Sequence, residues 1–387
     1  MDRRFLVPAL CVLTLSAGLP SAAAAQDYSV AQSAWTDPED ALPHPRLVPI
    51  GIPREAGELR LTELGDFGDN GGLDNIAQYR DSADEIWGTV FIYQTTLTDP
   101  AIAAVATDLI IRHSYGAQTV ETVREWVPAG SVEDLALLLV YDHAFDGERA
   151  SAAAFFGAGV WTVKLRVTGP QDRRDDVVAA MRALLDGVSF APEAEPFAPR
   201  ELTIGDCAAA EFAQPAQPLS AEQRNDDDDA PTVADALIAI GIVAGSMISN
   251  RHEIAEQIPD GPPPFSASDY CVMGVEPLGR QSFALALRRP GSGATPDLVL
   301  IGDAGRGFET IVSPSDEEGI LPRTGVHVMF HSLGRAELYG PFDRPPTMDQ
   351  FFSYLTGEAD WLGESALSVE ISPEGNTQIN VSADALE

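Results

Sequence analysis

Lysine is almost missing from this chain: Lys164 is the only one among 24 basic residues. Chemistry that needs an amine side chain, whether Schiff-base formation or a point-charge clamp on an anion, is therefore confined to a single position. A GC-rich coding bias gives the same scarcity with no functional content. Basic residues of either kind are outnumbered by 59 acidic ones, for a formal charge of −35. A surface of that sign repels nucleic-acid backbones and anionic membranes, so neither is an expected partner. Cysteine is scarce as well: Cys11, Cys207 and Cys271 are the full set, and none has the C-x-x-C spacing of a thiol oxidoreductase. The G-x-S-x-G, S-x-x-K, H-E-x-x-H and Walker patterns are all missing, which removes the local signatures of the common hydrolases and nucleotide-binding enzymes.

Long apolar runs are few. One spans Phe5 to Leu19, preceded by Arg3 and Arg4 and followed by the small residues Ser21 to Ala25. This pattern resembles a bacterial secretory signal, with cleavage after Ala25, export by the Sec route, a periplasmic or secreted product and no transmembrane anchor once residues 1–25 are gone. Cys11 leaves with the signal. The remaining pair, Cys207 and Cys271, is expected to form a disulfide in that oxidising compartment, worth ~4 kcal/mol on the chain-entropy account. A second apolar segment, Val233 to Ile248, has Thr232 as a cap and Gly241 and Gly245 in G-x-x-x-G spacing. Its uncharged part is too short for a bilayer, so it reads as a buried helix with a close packing partner.

The rest of the chain divides by composition. Residues 26–45 are expected to be a flexible, polar, proline-containing lead-in, 46–192 an N-terminal domain, 193–200 a linker around Ala191-Pro192-Glu193-Ala194-Glu195-Pro196, and 201–387 a C-terminal domain carrying the disulfide. Asn225 to Asp229 reads as a solvated acidic loop. In the N-terminal domain, alternating runs predict strands near 59–64, 76–80, 89–94, 120–126, 135–141 and 149–156. Pro100 opens a helix with Ile102, Val105 and Leu109 on one face, Asp99 as its N-cap and Gly116 as its stop. The next strand puts Trp161, Val163, Leu165 and Val167 on one face and Thr162, Lys164 and Arg166 on the other. A closing helix runs from about Asp172 to Asp186. If Gly157-Ala158-Gly159 is a three-residue hairpin loop, Phe155 lies opposite Trp161, and Ala152 and Ala150 lie opposite Lys164 and Arg166. In the C-terminal domain, strands are expected near 270–275, 282–288, 297–301, 309–312, 326–331, 336–339, 366–371 and 378–381, with a helix near Met348–Leu355 and a turn at Pro373–Asn376. The expected class is α+β: two domains, each a mostly antiparallel β-sheet with packing helices.

The order of elements over residues 50–195, with a strand at Trp161–Val167 followed directly by the closing helix, resembles the PsbP-like α+β sandwich. That resemblance implies a non-catalytic domain that acts through protein contacts; no functional residue of the family is carried over.

Three motifs imitate known sites. His327 and His331 would share a face and a zinc ion on a helix, but on a strand they stand roughly 13 Å apart and cannot. Asp66-Phe67-Gly68-Asp69-Asn70-Gly71-Gly72 opens like a calcium loop, yet Gly68 replaces a ligand and Ala77 stands in the place of the bidentate acid, so a hairpin loop is expected. Gly302 to Gly307 approaches a phosphate loop, but a strand follows where a helix is needed. No metal site, cofactor or catalytic residue is assigned. The candidate ligand or partner face is Thr162, Lys164 and Arg166, a solvated or ion-paired patch on an open sheet. The leading functional reading is an exported, non-catalytic envelope protein with an accessory or interaction role and another envelope protein as partner. The alternatives are a small-ligand-binding protein, or a hydrolase assembled from dispersed residues of the second half.

Overall fold

Strands dominate, and the apolar residues on their two faces determine how the layers stack. The computed structural model describes residues 34–36, 42–67, 72–94, 100–202, 204–207, 214–219, 270–278, 283–289, 293–302, 306–312, 326–371 and 377–381. Outside these lie the signal segment, most of the lead-in, Asp99, the Asn225–Asp229 run, the Val233–Ile248 segment, the Pro373–Asn376 turn and the centres of the Asp66–Gly72 and Gly302–Gly307 loops.

The first sheet has the order β2 (Glu55–Ala56), β3 (Leu59–Asp66), β4 (Asp74–Arg80), β5 (Trp87–Tyr93), β9 (Trp161–Pro170), β8 (Arg149–Ala158), β7 (Val132–Ala144), β6 (Val120–Ala129). After β5 the chain leaves through α1 (Pro100–Ser114), enters the far edge at β6 and meanders back to pair β9 with β5. Two short pairs complete this half: β1 (Ile50–Gly51) with β10 (Ser189–Phe190), and β11 (Pro196–Phe197) with the end of β8. The segment expected as a linker is thus partly docked on the first sheet. Gly157 makes room for it, because a Cβ there would stand 2.1 Å from the Phe197 ring.

The second sheet follows sequence order: β12 (Ile204–Asp206), β13 (Tyr270–Pro277), β14 (Phe283–Arg288), β15 (Leu298–Ile301), β16 (Arg306–Val312), β17 (Val326–Ser332), β18 (Arg335–Phe342), β19 (Leu367–Ile371), β20 (Thr377–Val381). Every pair is antiparallel except β12–β13, and the Cys207–Cys271 disulfide ties those two strands together.

The α+β class is therefore corrected. Among the described residues there are twenty strands and three α-helices, so the fold is mainly β, built on two large antiparallel sheets. The helices fall where periodicity placed them, but long unbroken ladders carry the architecture and the helices only fill the layers between and outside them.

Those layers run from the helix Arg174–Asp186 (α2) through the first sheet, α1 and the second sheet to the helix Met348–Leu355 (α3). Helix α2 (Arg174–Asp186) lays Val177, Met181, Leu184 and Leu185 on Val163, Leu165 and Val167 of the first sheet. On the opposite face of that sheet, Ala103, Ala104 and Ile111 of α1 pack against Leu137, Leu139, Ala153 and Phe155. The other side of α1, Ile102 and Ala106 with half-buried Leu109, meets Leu285, Leu287, Leu298 and Leu300 of the second sheet. Helix α1 is therefore apolar on two sides, as a helix between two sheets must be. Helix α3 (Met348–Leu355) starts in a capping box between Thr347 and Gln350 and buries Phe351 against Phe308 and Val328 on the far face.

Candidate functional site

Strand β9 fixes the orientation of the candidate face. Since Val163, Leu165 and Val167 point to α2, Thr162, Lys164 and Arg166 point to the side that α1 covers. Covering is close to complete: Lys164 is 2% exposed and Thr162 is 1% exposed. The expected open, solvated patch is instead an interior seam. Its neighbours differ from expectation too. Ala158 pairs with Trp161, so the hairpin loop is the two residues Gly159-Val160, with Gly159 at φ +57°. A glycine in that region lets a two-residue turn follow the strand twist, and it shifts the register from the one a three-residue loop would give. Lys164 consequently lies opposite Phe155 on one side and Phe91 on the other, not opposite Ala152. Its Nζ stands 5.0 Å from the centre of the Phe91 ring, a cation–π geometry inside the protein.

Arg166 follows the same pattern at the margin of the seam. It pairs with Ala153, its guanidinium lies 4.9 Å from the Tyr115 ring centre, and Nη2 donates to the Tyr115 hydroxyl at 2.5 Å. Tyr115 in turn stacks on Phe145 at 3.9 Å. Nearby, Tyr141 donates to Asp108 of α1 at 2.9 Å, and Asp108 and Glu121 share Arg112 and Arg124. Burial first, then the Asp108 carboxylate, pushes the Tyr141 phenol far up, so it stays protonated. Two hydroxyls in the seam, Thr162 Oγ1 and Thr107 Oγ1, are buried without a hydrogen-bond partner. At the other end of the seam, Asp74 of the first half meets Arg306 of the second at 3.9 Å.

The histidine pair does not converge. His327 and His331 share one face of β17, where Glu309 approaches His331 at 3.4 Å. His327 is 4% exposed, neither ring nitrogen completes a hydrogen bond, and burial lowers its pKa to about 4, with the Tyr339 backbone pulling weakly upward. Among the described residues no group of three metal-ligating side chains gathers. Asp66 closes the β3–β4 hairpin, taking the Gly72 N–H at 2.7 Å on Oδ2. Gly302 follows the last residue of β15, Ile301, and the next described residues form β16, a strand rather than a helix.

The strand expected near 378–381 is Thr377–Val381, uncharged in a very acidic chain, and among the described residues it is the outermost strand of the second sheet, a position that the sequence alone does not reveal. Beside it, Glu337, Tyr339, Glu364, Ser365, Ser368, Asn380 and Val381 line an open cavity of about 410 Å3. No family model, curated protein or solved structure matches the chain.

Proposed function

We propose that the protein is an exported, non-catalytic interaction factor of the bacterial envelope, acting in the periplasm or outside the cell. A disulfide is present, and among the described residues no helix is long and apolar enough to cross a membrane; both fit export behind a cleaved signal. Lys164 and Arg166 are used internally, Lys164 against the Phe91 ring of the neighbouring strand and Arg166 against Tyr115 just beyond α1. What the protein offers outward is backbone.

The observation that carries this reading is a difference among the four strands that stand outermost in the two sheets among the described residues. An exposed edge is a template for pairing with another chain, and proteins that stay alone blunt it with charges, proline, bulges or brevity. Strand β6 carries Glu121, Arg124, Glu125 and Pro128 and has two register shifts. Strand β2 is two residues long, and β12 is three residues long and closed by the disulfide. Strand β20 has none of these guards: five residues, no charge, no proline, a regular ladder to β19, and Ile379 41% exposed. The resemblance to PsbP-like domains favours the same role. Crosslinking and co-purification from the native cell envelope tests it. One partner recovered repeatedly, and lost when Ile379 is replaced by proline, is the expected result; repeated recovery of the protein alone would overturn the reading.

A further inference from the structure

We infer that β20 accepts an extended, cationic segment of a partner protein by strand addition, and that the cavity beside it holds a lysine or arginine of that segment. This rests on the interaction reading above and adds the partner's chemistry to it.

Strand addition supplies affinity through main-chain hydrogen bonds and specificity through the alternate side chains of the added strand, which fall on one face of the sheet. On β20, Gln378 and Asn380 share a face with Glu370, Ser368, Glu337 and Arg335, as the cross-strand pairs require. The cavity opens on this face, and its lining residue Asn380 lies on the outermost strand. A long side chain on an added strand would lie across Asn380 into it. The lining is mixed: two carboxylates, Glu337 and Glu364, and the Ser365 and Ser368 hydroxyls stand beside the apolar surface of the Tyr339 ring and Val381.

The same face already shows how it holds a cation. Arg335 is clamped by Glu337 at 2.6 Å and Glu370 at 3.3 Å. Glu337 also accepts the Tyr339 hydroxyl at 3.3 Å. Glu364 makes no hydrogen bond or ion pair among the described residues and is exposed, so it is placed to receive a second cation. Charge also decides between occupants. A second copy of a chain with net charge −35 would meet its own repulsion at this edge, whereas a basic segment is attracted from a distance.

The test uses the full, disulfide-bonded chain and three synthetic hexapeptides of alternating threonine and valine. One has lysine at its third position, one has glutamate there, and one is the lysine peptide with alternate backbone nitrogens methylated. Fluorescence anisotropy should show the lysine peptide binding about tenfold tighter than the glutamate peptide, with that preference reduced in Glu364→Gln and the methylated peptide not binding. Equal binding of the lysine and glutamate peptides would overturn the cationic specificity while leaving the interaction reading in place. No binding of any peptide would overturn strand addition, and the interaction reading would then be judged by envelope co-purification alone. A concentration-dependent dimer that Ile379→Pro dissolves would show a second copy at the edge and overturn the proposal as well.

Discussion

Lys164 and Phe91 face each other across the β9–β5 pair, with the ammonium 5.0 Å from the ring centre and the lysine 2% exposed. The only amine side chain of the protein is therefore part of its interior. Replacing Phe91 with leucine keeps an apolar contact and removes the ring, which should cost about 1–2 kcal/mol. Lys164→Glu puts a carboxylate against the negative face of the ring and should cost about 3–5 kcal/mol. Urea unfolding of both variants measures the two losses.

The buried His327 makes stability depend on pH. Its pKa is about 4 in the fold against 6.5 unfolded, so the unfolded chain takes up the proton first as the pH falls. The contribution is fully present above pH 6.5 and is lost progressively down to about pH 4, to an extent on the order of 3 kcal/mol. His327→Leu should flatten the unfolding free energy over that window, as read by denaturant titrations at several pH values. An unchanged slope would mean that the imidazole is not desolvated.

Asp66 works in the opposite direction. Burial raises its pKa above the usual carboxylate value of 3.8, against the pull of the Gly72 and Asp74 backbone N–H groups. A raised folded-state pKa means that the contribution is present below the unfolded pKa and is lost as the pH climbs through the folded one. Asp66 Oδ1 and Asn75 Oδ1 are both buried without a hydrogen-bond partner on directly paired residues. A protonated Asp66 would satisfy both by donating to Asn75. Asp66→Asn supplies a permanent donor, so it should match or exceed the wild type at neutral pH, and its advantage should disappear in acid.

The disulfide closes a separation of 64 residues between β12 and β13. Reduction, or the pair Cys207→Ala and Cys271→Ala, should cost about 4 kcal/mol. The loss should appear as faster amide exchange at Ile204–Asp206 and Tyr270–Val272 before it appears in the first sheet. Free thiols in the exported protein under non-reducing conditions would contradict the bond.

Much of this fold was legible in the sequence, element by element. The alternation that marks Trp161–Val167 and the second-half strands from Tyr270 onward places those strands, though not the short Ile204–Asp206, and the helices expected from Pro100 and near Met348 begin there. What alternation does not reveal is the layer that lies on each face. Thr162, Lys164 and Arg166 look like an outer face because they are polar, yet α1 covers them. The signal was present in α1 itself: Ala103, Ala104 and Ile111 are as apolar as Ile102, Ala106 and Leu109 on the other side, so the helix had to be buried twice. The hairpin register depended on one residue, Gly159, whose left-handed backbone shortens the loop. The class name failed for a simpler reason. The three helices are legible but cover far less of the chain than the strands, which run to thirteen residues in β7. The strand near 378–381 was legible, but its meaning comes from being outermost among the described residues, which only the sheet order reveals.

The account turns on the Lys164 face being a seam rather than a surface, and the single lysine makes that directly measurable. The native, disulfide-bonded chain is treated with an amine-reactive reagent, and intact mass and peptide mapping follow labelling at Lys164 separately from the N-terminal amine. The account predicts modification at the N-terminus alone until denaturant is added, with Lys164 then labelled in step with unfolding. Rapid labelling of Lys164 in the native protein would contradict it.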